Sequence, residues 1–392
     1  MGNSIVGAGG NGRADQRNFV LVYRDRIAPR SEAQFLRRQY VGFSRLQPIW
    51  VGCGTDIGLS ELGVEPVILG RYGGLGRWDR TLFKQLGLVP TSPDLAALRP
   101  RVVHAQFGRG GALALPIARS LRIPLVVTFH GGDATKDRHF GNVPSIFRRR
   151  LSALKQEAAL FVCVSKFVHD RLIDRGFPPD KLRVIRIGVD AQPATEAVRP
   201  ANPPCVVFVG RFVEKKGCKY LIEAARLLAA TGCPARIVLI GDGPLAAQLH
   251  EQAQDVPRVV FTGWLSSDEV RHHIQQATAL CVPSITAQDG DADGLPTVVL
   301  EAMAIGVPVI GTYQAGIAEA VEHGVTGLLV QPASREELAG AIRWIIENPL
   351  ARDSMGAAAR RVVHARFDAQ TQSQHLEAAL LQVIGERGEC NE

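Results

Sequence analysis

The chain reads as an α/β protein built from two doubly wound domains that face each other across a cleft. Three observations predict this. Short Val/Ile/Leu-rich runs alternate with amphipathic helical stretches over most of the sequence, the pattern of parallel strands buried on both faces. The alternation breaks in segment 190–204, which holds Pro193, Pro200, Pro203 and Pro204, and then restarts, as at an interdomain linker. A length of 392 residues also exceeds what one ordinary hydrophobic core accommodates.

In the first half the expected strands are 19–23, 66–69, 102–107, 124–129, 161–164 and 182–187. In the second they are 205–210, 235–240, 259–262, 280–283, 308–311 and 327–330, and helices dominate from about residue 335 onward. The expected layout is a Rossmann-like domain over 1–190 with a flexible stretch at 1–17, a linker at 191–204, and a second Rossmann-like domain over 205–366. Residues 367–392 are expected to form a helix, in which Leu376, Leu380, Leu381 and Ile384 recur at helical spacing. Sheets of this kind bind ligands beyond the carboxyl ends of their strands, so the cleft is the expected site.

Composition narrows the function. A hydrophobic content of 46% is ordinary for globular domains, and no run of 18 apolar residues is present. Residues 1–18 lack the apolar core of a signal peptide, so a cytoplasmic location is expected. The seven cysteines, at 53, 163, 205, 218, 233, 281 and 390, form no C-x-x-C pair and read as reduced core residues. The net charge of +7 hides an asymmetry: residues 1–190 hold 29 Lys+Arg against 15 Asp+Glu, and the remainder holds 16 against 23. Solvated faces on two lobes account for this as one reading. The other is an anionic surface approached by the first half through Phe147-Arg148-Arg149-Arg150 and Arg37-Arg38. Nucleic acid is not expected, because the cations are dispersed and accompany no nucleic-acid motif.

The chemistry concentrates in Asp293-Gly294-Leu295-Pro296 and the apolar run to Glu301. Pro296 suits the first turn of a helix, and Gly306 with Pro308 marks its end. Free N–H groups at Gly294 and Leu295 would form an anion site, with Asp293 before the helix and Glu301 one turn inside it accepting bonds from hydroxyl groups. Upstream, Gly210-Arg211 ends a strand and Lys216 follows five residues later. Both cations can meet one diphosphate, each contact at about 4 Å being worth roughly 4 kcal/mol before desolvation. A second turn, Gly241-Asp242-Gly243-Pro244, follows the next strand and lets backbone approach a base or ribose.

Four patterns are set aside. Gly7-Ala8-Gly9-Gly10-Asn11-Gly12 fits G-x-G-x-x-G but precedes the first convincing strand instead of following it. Asp289, Asp291 and Asp293 open like a calcium loop, yet its closing position is Leu300 and Pro296 interrupts it. The same acids resemble a D-x-D metal motif, but Arg211 and Lys216 already supply positive charge, so no metal is expected. His272-His273 has no third ligand at metal spacing and reads as a helix surface.

The order Gly210-Arg211, Lys216-Gly217, Gly241-Asp242-Gly243-Pro244, Phe261-Thr262-Gly263 and Asp293-Gly294-Leu295-Pro296 with Glu301-Ala302-Met303 resembles the retaining glycosyltransferases of family four. That likeness spans almost all of 205–385. It continues more faintly in Arg30 to Phe35, His104-Ala105-Gln106-Phe107, Thr128-Phe129-His130-Gly131-Gly132-Asp133 and Val164-Ser165-Lys166. The resemblance implies the GT-B fold and a cell-surface glycan enzyme of the exopolysaccharide or colanic-acid type. It implies a nucleoside-diphosphate sugar donor, a lipid-linked or glycan acceptor, and no cofactor or metal.

By the same resemblance Arg211 and Lys216 bind the donor diphosphate and Glu301 binds the ribose. His130 lies near the donor sugar, and Gly210, Gly241, Gly243, Gly294 and Leu295 complete the donor site. Asp293 stands where the family has glutamate, one methylene shorter. The implied reaction is transfer with retention, the acceptor attacking the face the nucleotide leaves. A catalytically weakened binding protein of the same fold, favoured by Asp293, and a nicotinamide-dependent oxidoreductase are the alternatives.

Overall fold

A computed structural model describes residues 18–27, 32–56, 59–71, 73–136, 145–190 and 202–389. The stretch 1–17, most of the expected linker and Arg30-Ser31 lie outside the described residues.

The first domain is a seven-stranded parallel sheet: β1 (Asn18–Tyr23), β2 (Leu46–Gly52), β3 (Val67–Ile68), β4 (Pro100–Gln106), β5 (Leu125–Phe129), β6 (Leu160–Cys163) and β7 (Leu182–Val184), in the order β3-β2-β1-β4-β5-β6-β7. The second holds six: β8 (Cys205–Val209), β9 (Arg236–Ile240), β10 (Val259–Gly263), β11 (Ala279–Val282), β12 (Val309–Thr312) and β13 (Gly327–Val330), in the order β10-β9-β8-β11-β12-β13. Both orders reverse direction beside the first strand, so each sheet has a switch point where ligands bind.

The expected strands are present with ends shifted by up to three residues, but the expectation omitted β2. Its sequence, Leu46-Gln47-Pro48-Ile49-Trp50-Val51-Gly52, carries a proline that speaks against a sheet interior. The sheet tolerates Pro48 because the outer strand β3 pairs only with Val51 and Gly52, so the start of β2 is an edge.

The helices that matter for the site are α1 (Ala33–Arg38), α2 (Gly73–Leu86), α3 (Gly108–Leu121), α4 (Ser145–Glu157), α5 (Lys166–Asp174), α6 (Cys218–Ala230) and α7 (Thr297–Ile305). Three more, α8 (Arg335–Glu347), α9 (Pro349–Arg366) and α10 (Ala369–Glu389), end the chain. Alternate strand residues face opposite helical layers. Tyr23, Val103, Val127 and Phe161 pack with Leu113, Leu154 and Leu172, while Val22, Val102, Val126 and Val162 pack with Leu36, Leu376 and Leu380. The second sheet repeats this, Phe208 and Leu239 against Leu221, and Val207 and Leu280 against Val299 and Phe367.

The C-terminal helix α10 therefore belongs to the first domain's core. Its anchor is Glu377, 4% exposed, whose carboxylate accepts the N–H groups of Ser44, Arg45 and Leu46 at 2.7–2.9 Å. The two chain crossings run side by side, Val189 donating to Phe367 and Ala369 donating to Val189. Among the described residues no helix is long and apolar enough to cross a membrane.

Candidate active site

The second sheet supplies one wall of the site through turns at the carboxyl ends of its strands. The chain leaves β8 at Gly210, passes Arg211 and coils once through Glu214–Lys216 before α6. Gly217 ends that coil at φ 64°, and a Cβ there would overlap the carbonyl oxygen of Pro283. Glycine thus lets the cation turn lie against the end of β11. Gly241 and Gly243 abut the same turn, and the space their missing side chains leave is taken by the backbone of Gly210 and Phe212.

The loop after β11 brings Asp291 and Asp293 against these cations. Lys216 Nζ donates to Asp293 Oδ2 at 2.8 Å, Lys215 Nζ lies 3.2 Å from Asp293 Oδ1 and 3.1 Å from Asp291 Oδ1, and Lys136 Nζ of the first domain lies 2.8 Å from Asp291 Oδ2. Ser284 Oγ also donates to Asp293 Oδ2, at 3.1 Å. The result is an alternating row of lysines and aspartates that crosses the cleft. The Asp293 side chain is only 9% exposed. Burial pushes its carboxyl up, but Lys216 and Lys215 outweigh burial and hold it at about 2. For Lys215 burial works against the charge, yet Asp293 and Asp291 still raise its pKa above the ordinary value.

Pro296 caps α7 and Gly306 ends it at φ 82°, as the sequence predicts. The N–H groups of Gly294 and Leu295 donate to no protein acceptor among the described residues. Arg211 is exposed and likewise pairs with no described group. Glu301 is occupied: Arg38, at the end of α1, donates to its Oε1 at 2.5 Å and lies 3.6 Å from Asp190. Asp289 accepts the N–H of Asp291, and among the described residues no three His, Cys, Asp or Glu side chains gather in one cluster.

The first domain supplies the other wall. His130 follows β5, and Asp133 ties down its loop by accepting the N–H groups of His130, Gly131 and Gly108 at 2.9–3.0 Å. Burial raises the Asp133 carboxyl despite these donors. His130 Nε2 meets Gln106 Oε1 at 2.7 Å, while Gln106 Nε2 donates to the Tyr40 hydroxyl at 2.6 Å. Because the amide nitrogen is spent on Tyr40, its oxygen must accept, which places the His130 proton on Nε2. The other nitrogen, Nδ1, is then a buried acceptor without a partner among the described residues. Burial first, then Arg24 and His104, pushes the His130 pKa down to about 3, so the ring is neutral at physiological pH.

The two walls meet backbone to backbone. A Cβ on Gly294 would overlap the carbonyl of His130, and one on Gly131 would overlap the N–H of Gly294. Ala292 donates to Thr135 Oγ1 at 3.0 Å. Glu319 accepts the N–H groups of Lys166 and Phe167 at the start of α5, where Ser165 is the N-cap. The anion sits on a helix N-terminus, a favourable placement.

Residues 194–362 match the family described as Glycosyl transferases group 1, and residues 59–193 match Glycosyltransferase Family 4. The amylovoran biosynthesis glycosyltransferase AmsK of Erwinia amylovora is 31% identical over 81% of this chain and 76% of its own length. The chain belongs to glycosyltransferase family 4. WcaL of Salmonella typhimurium, assigned as a colanic acid biosynthesis glycosyltransferase, is 34% identical over 72% of this chain and 70% of its own. Among solved structures, that of Anabaena HepE with UDP and glucose superposes with a TM-score of 0.73 at 21% identity, covering 93% of this chain and 99% of that one. The fold of this family 4 glycosyltransferase is accordingly GT-B, and its activity is glycosyl transfer.

The structure brings Lys216, Asp293, Gly294 and His130 to one junction, and places Glu301 with Arg38. It adds Lys136, Lys215, Asp291, Gln106, Asp133 and Arg38, which the sequence reading did not assign to the site. Lys215 and Asp291 flank recognised motif residues and Gln106 lies in a quoted motif, so adjacency was the available signal. Arg38 and Lys136 carry no local signal, their partners being 263 and 155 residues away. The basic segments expected to meet an anionic surface are partly committed elsewhere. Arg38 holds Glu301, Arg150 donates to the carbonyls of Lys84 and Phe83, and the side chains of Phe147 and Arg148 lie outside the described residues.

Proposed function

We propose that this glycosyltransferase moves a sugar from a nucleoside-diphosphate donor to a lipid-linked or glycan acceptor in cell-surface polysaccharide biosynthesis, with retention and without a metal. The observation that carries the reading is the set of groups left without partners among the described residues on the cleft side of the second domain and at His130. Arg211 and the N–H groups of Gly294 and Leu295 are donors suited to a diphosphate, and His130 Nδ1 is an acceptor suited to a sugar hydroxyl. Lys216 lies beside them and exchanges Asp293 for phosphate oxygen as the donor enters. Leaving-group charge then develops against two cations, while a leaving phosphate oxygen takes the acceptor proton. Glu301 takes the ribose hydroxyls once Arg38 releases it.

The assignments of AmsK and WcaL to exopolysaccharide pathways support the acceptor class, and the HepE complexes with UDP and UDP-glucose support the donor class. A cytoplasmic enzyme working peripherally at an anionic membrane face accords with the basic first half. One observation favours a weakened enzyme: Asp293 spends both carboxylate oxygens on Lys216, Lys215 and Ser284, leaving donor-sugar recognition to backbone and His130. A thermal-shift screen against uridine, guanosine, adenosine and thymidine diphosphate sugars tests the proposal. At least one is expected to stabilise the protein; no shift with any of them would count against it.

A further inference from the structure

We propose that α2 is the surface by which this enzyme docks on an anionic lipid bilayer, an inference that rests on the reading of a membrane-linked acceptor. Along α2, Leu75, Trp78, Leu82 and Leu86 recur at intervals of three and four residues, which puts them on one helical face. That face is uncovered: Leu75 is 58% exposed, Trp78 69%, Leu82 40% and Leu86 62%, and Leu88 just beyond is also exposed. The neighbouring side, about 100° round the helix through Gly76 and Phe83, is buried in the domain. The stripe runs about 16 Å at 1.5 Å per residue. An exposed apolar row with a tryptophan in it is what an interfacial helix presents to the boundary between headgroups and acyl chains.

Charge identifies the occupant. Between Arg71 and Arg99 the sequence holds five Lys and Arg against Asp79 and Asp94, within a half that carries 29 cations and 15 acids. Arg77 on the helix and Arg149 on the adjoining α4 are exposed, and Arg150 of α4 clasps the carbonyls at the end of α2. A negatively charged lipid surface complements this face. A second copy of the chain does not, because two such faces would bring like charges together.

Position links the face to the chemistry. Lys84 of α2 pairs with Asp25 at 2.8 Å, and Phe83 meets Tyr23 edge-on at the end of β1. The next residue, Arg24, lies over the Phe107 ring, which packs on His130 at 4.4 Å. Docking through α2 therefore sets the rim of the first domain's half of the cleft at the lipid surface, where a lipid-linked acceptor presents its head.

The test is sedimentation of the full-length protein with vesicles of phosphatidylcholine, with and without phosphatidylglycerol. Wild type is expected to bind the anionic vesicles at low salt and to weaken as salt rises. The double variant Trp78→Glu, Leu82→Glu is expected to bind on the order of 100-fold more weakly, since each change removes an inserting group and adds a repelled charge. Its melting temperature and donor hydrolysis should match wild type, as both side chains are exposed. Trp78→Phe should still bind but lose the blue shift of tryptophan emission that vesicles cause in wild type. Equal binding by wild type and the double variant would overturn the assignment to α2 and leave the membrane reading standing. If wild type fails to bind any vesicle, both fall. A wild-type dimer that the double variant converts to monomer, without vesicle binding, would make the face a self-association surface and also overturn the proposal.

Discussion

Replacing Arg38 with glutamine removes the charge that occupies Glu301 and should tighten the binding of a nucleoside diphosphate. Arg38 Nη1 stands 2.5 Å from Glu301 Oε1, with the two side chains 14% and 29% exposed. Charge-assisted hydrogen bonds contribute about 1.5–3 kcal/mol, and residual solvent contact reduces that to roughly 1–2 kcal/mol here. A donor ribose that needs the same carboxylate must displace the guanidinium. At 1.4 kcal/mol per factor of ten, releasing Glu301 in advance is worth about 5- to 30-fold in Kd. Isothermal titration of wild type and Arg38→Gln with the diphosphate found in the thermal-shift screen reads this directly, with Glu301→Gln as the comparison that loses the ribose contact. Unchanged or weaker binding by Arg38→Gln would refute the reasoning and make Arg38 a support that orients Glu301.

Three further outcomes follow from the packing and electrostatics. Gly294→Ala should cost about 100-fold or more in kcat/KM while shifting Tm by no more than about 2 °C; the atoms its Cβ would meet, on His130 and Val164, all belong to the opposite domain, and small-angle scattering should show a more open molecule. The folded pKa values of His104 and His130, both about 3, lie below the roughly 6.5 of the unfolded chain. The unfolded state therefore takes up these protons first, and stability is lost as pH falls from about 6.5 toward 3, by up to about 1.4 kcal/mol per pH unit for each histidine. Urea midpoints that stay flat between pH 7 and 4.5 would contradict this. Asp293, held at about 2, contributes stability that is present above the unfolded value near 3.9 and disappears only as pH falls through that lower range. Glu377→Ala should lower unfolding free energy by about 3 kcal/mol in urea titrations, because it strands the buried N–H of Leu46 and the partly buried N–H groups of Ser44 and Arg45, which hold α10 to the first domain.

Periodicity made most of the fold readable, since parallel strands buried on both faces leave continuous apolar runs. It failed at β2, where Pro48 and Gln47 interrupt the run and edge position, a tertiary fact, makes the strand possible. Asp293, Arg211 and Lys216 stood out as candidates because each sits in a local turn marked by its glycines, and Glu301 because it lies in the helix that Pro296 introduces. Their pairings were not. Arg38 meets Glu301 and Lys136 meets Asp291 only because two sheets face each other, and spacing along the chain carries no trace of that. The role of Gln106 in setting the His130 proton depends on the direction of an amide, which residue type does not fix.

Lys216, with Arg211, is proposed to stabilise a departing nucleoside diphosphate. Nucleotide release by wild type and Lys216→Ala, measured with the stabilising donor and an acceptor while Tm is followed in parallel, tests it most directly. Turnover is expected to fall about 10²- to 10³-fold with only a small change in Tm. Full turnover by Lys216→Ala would contradict the account.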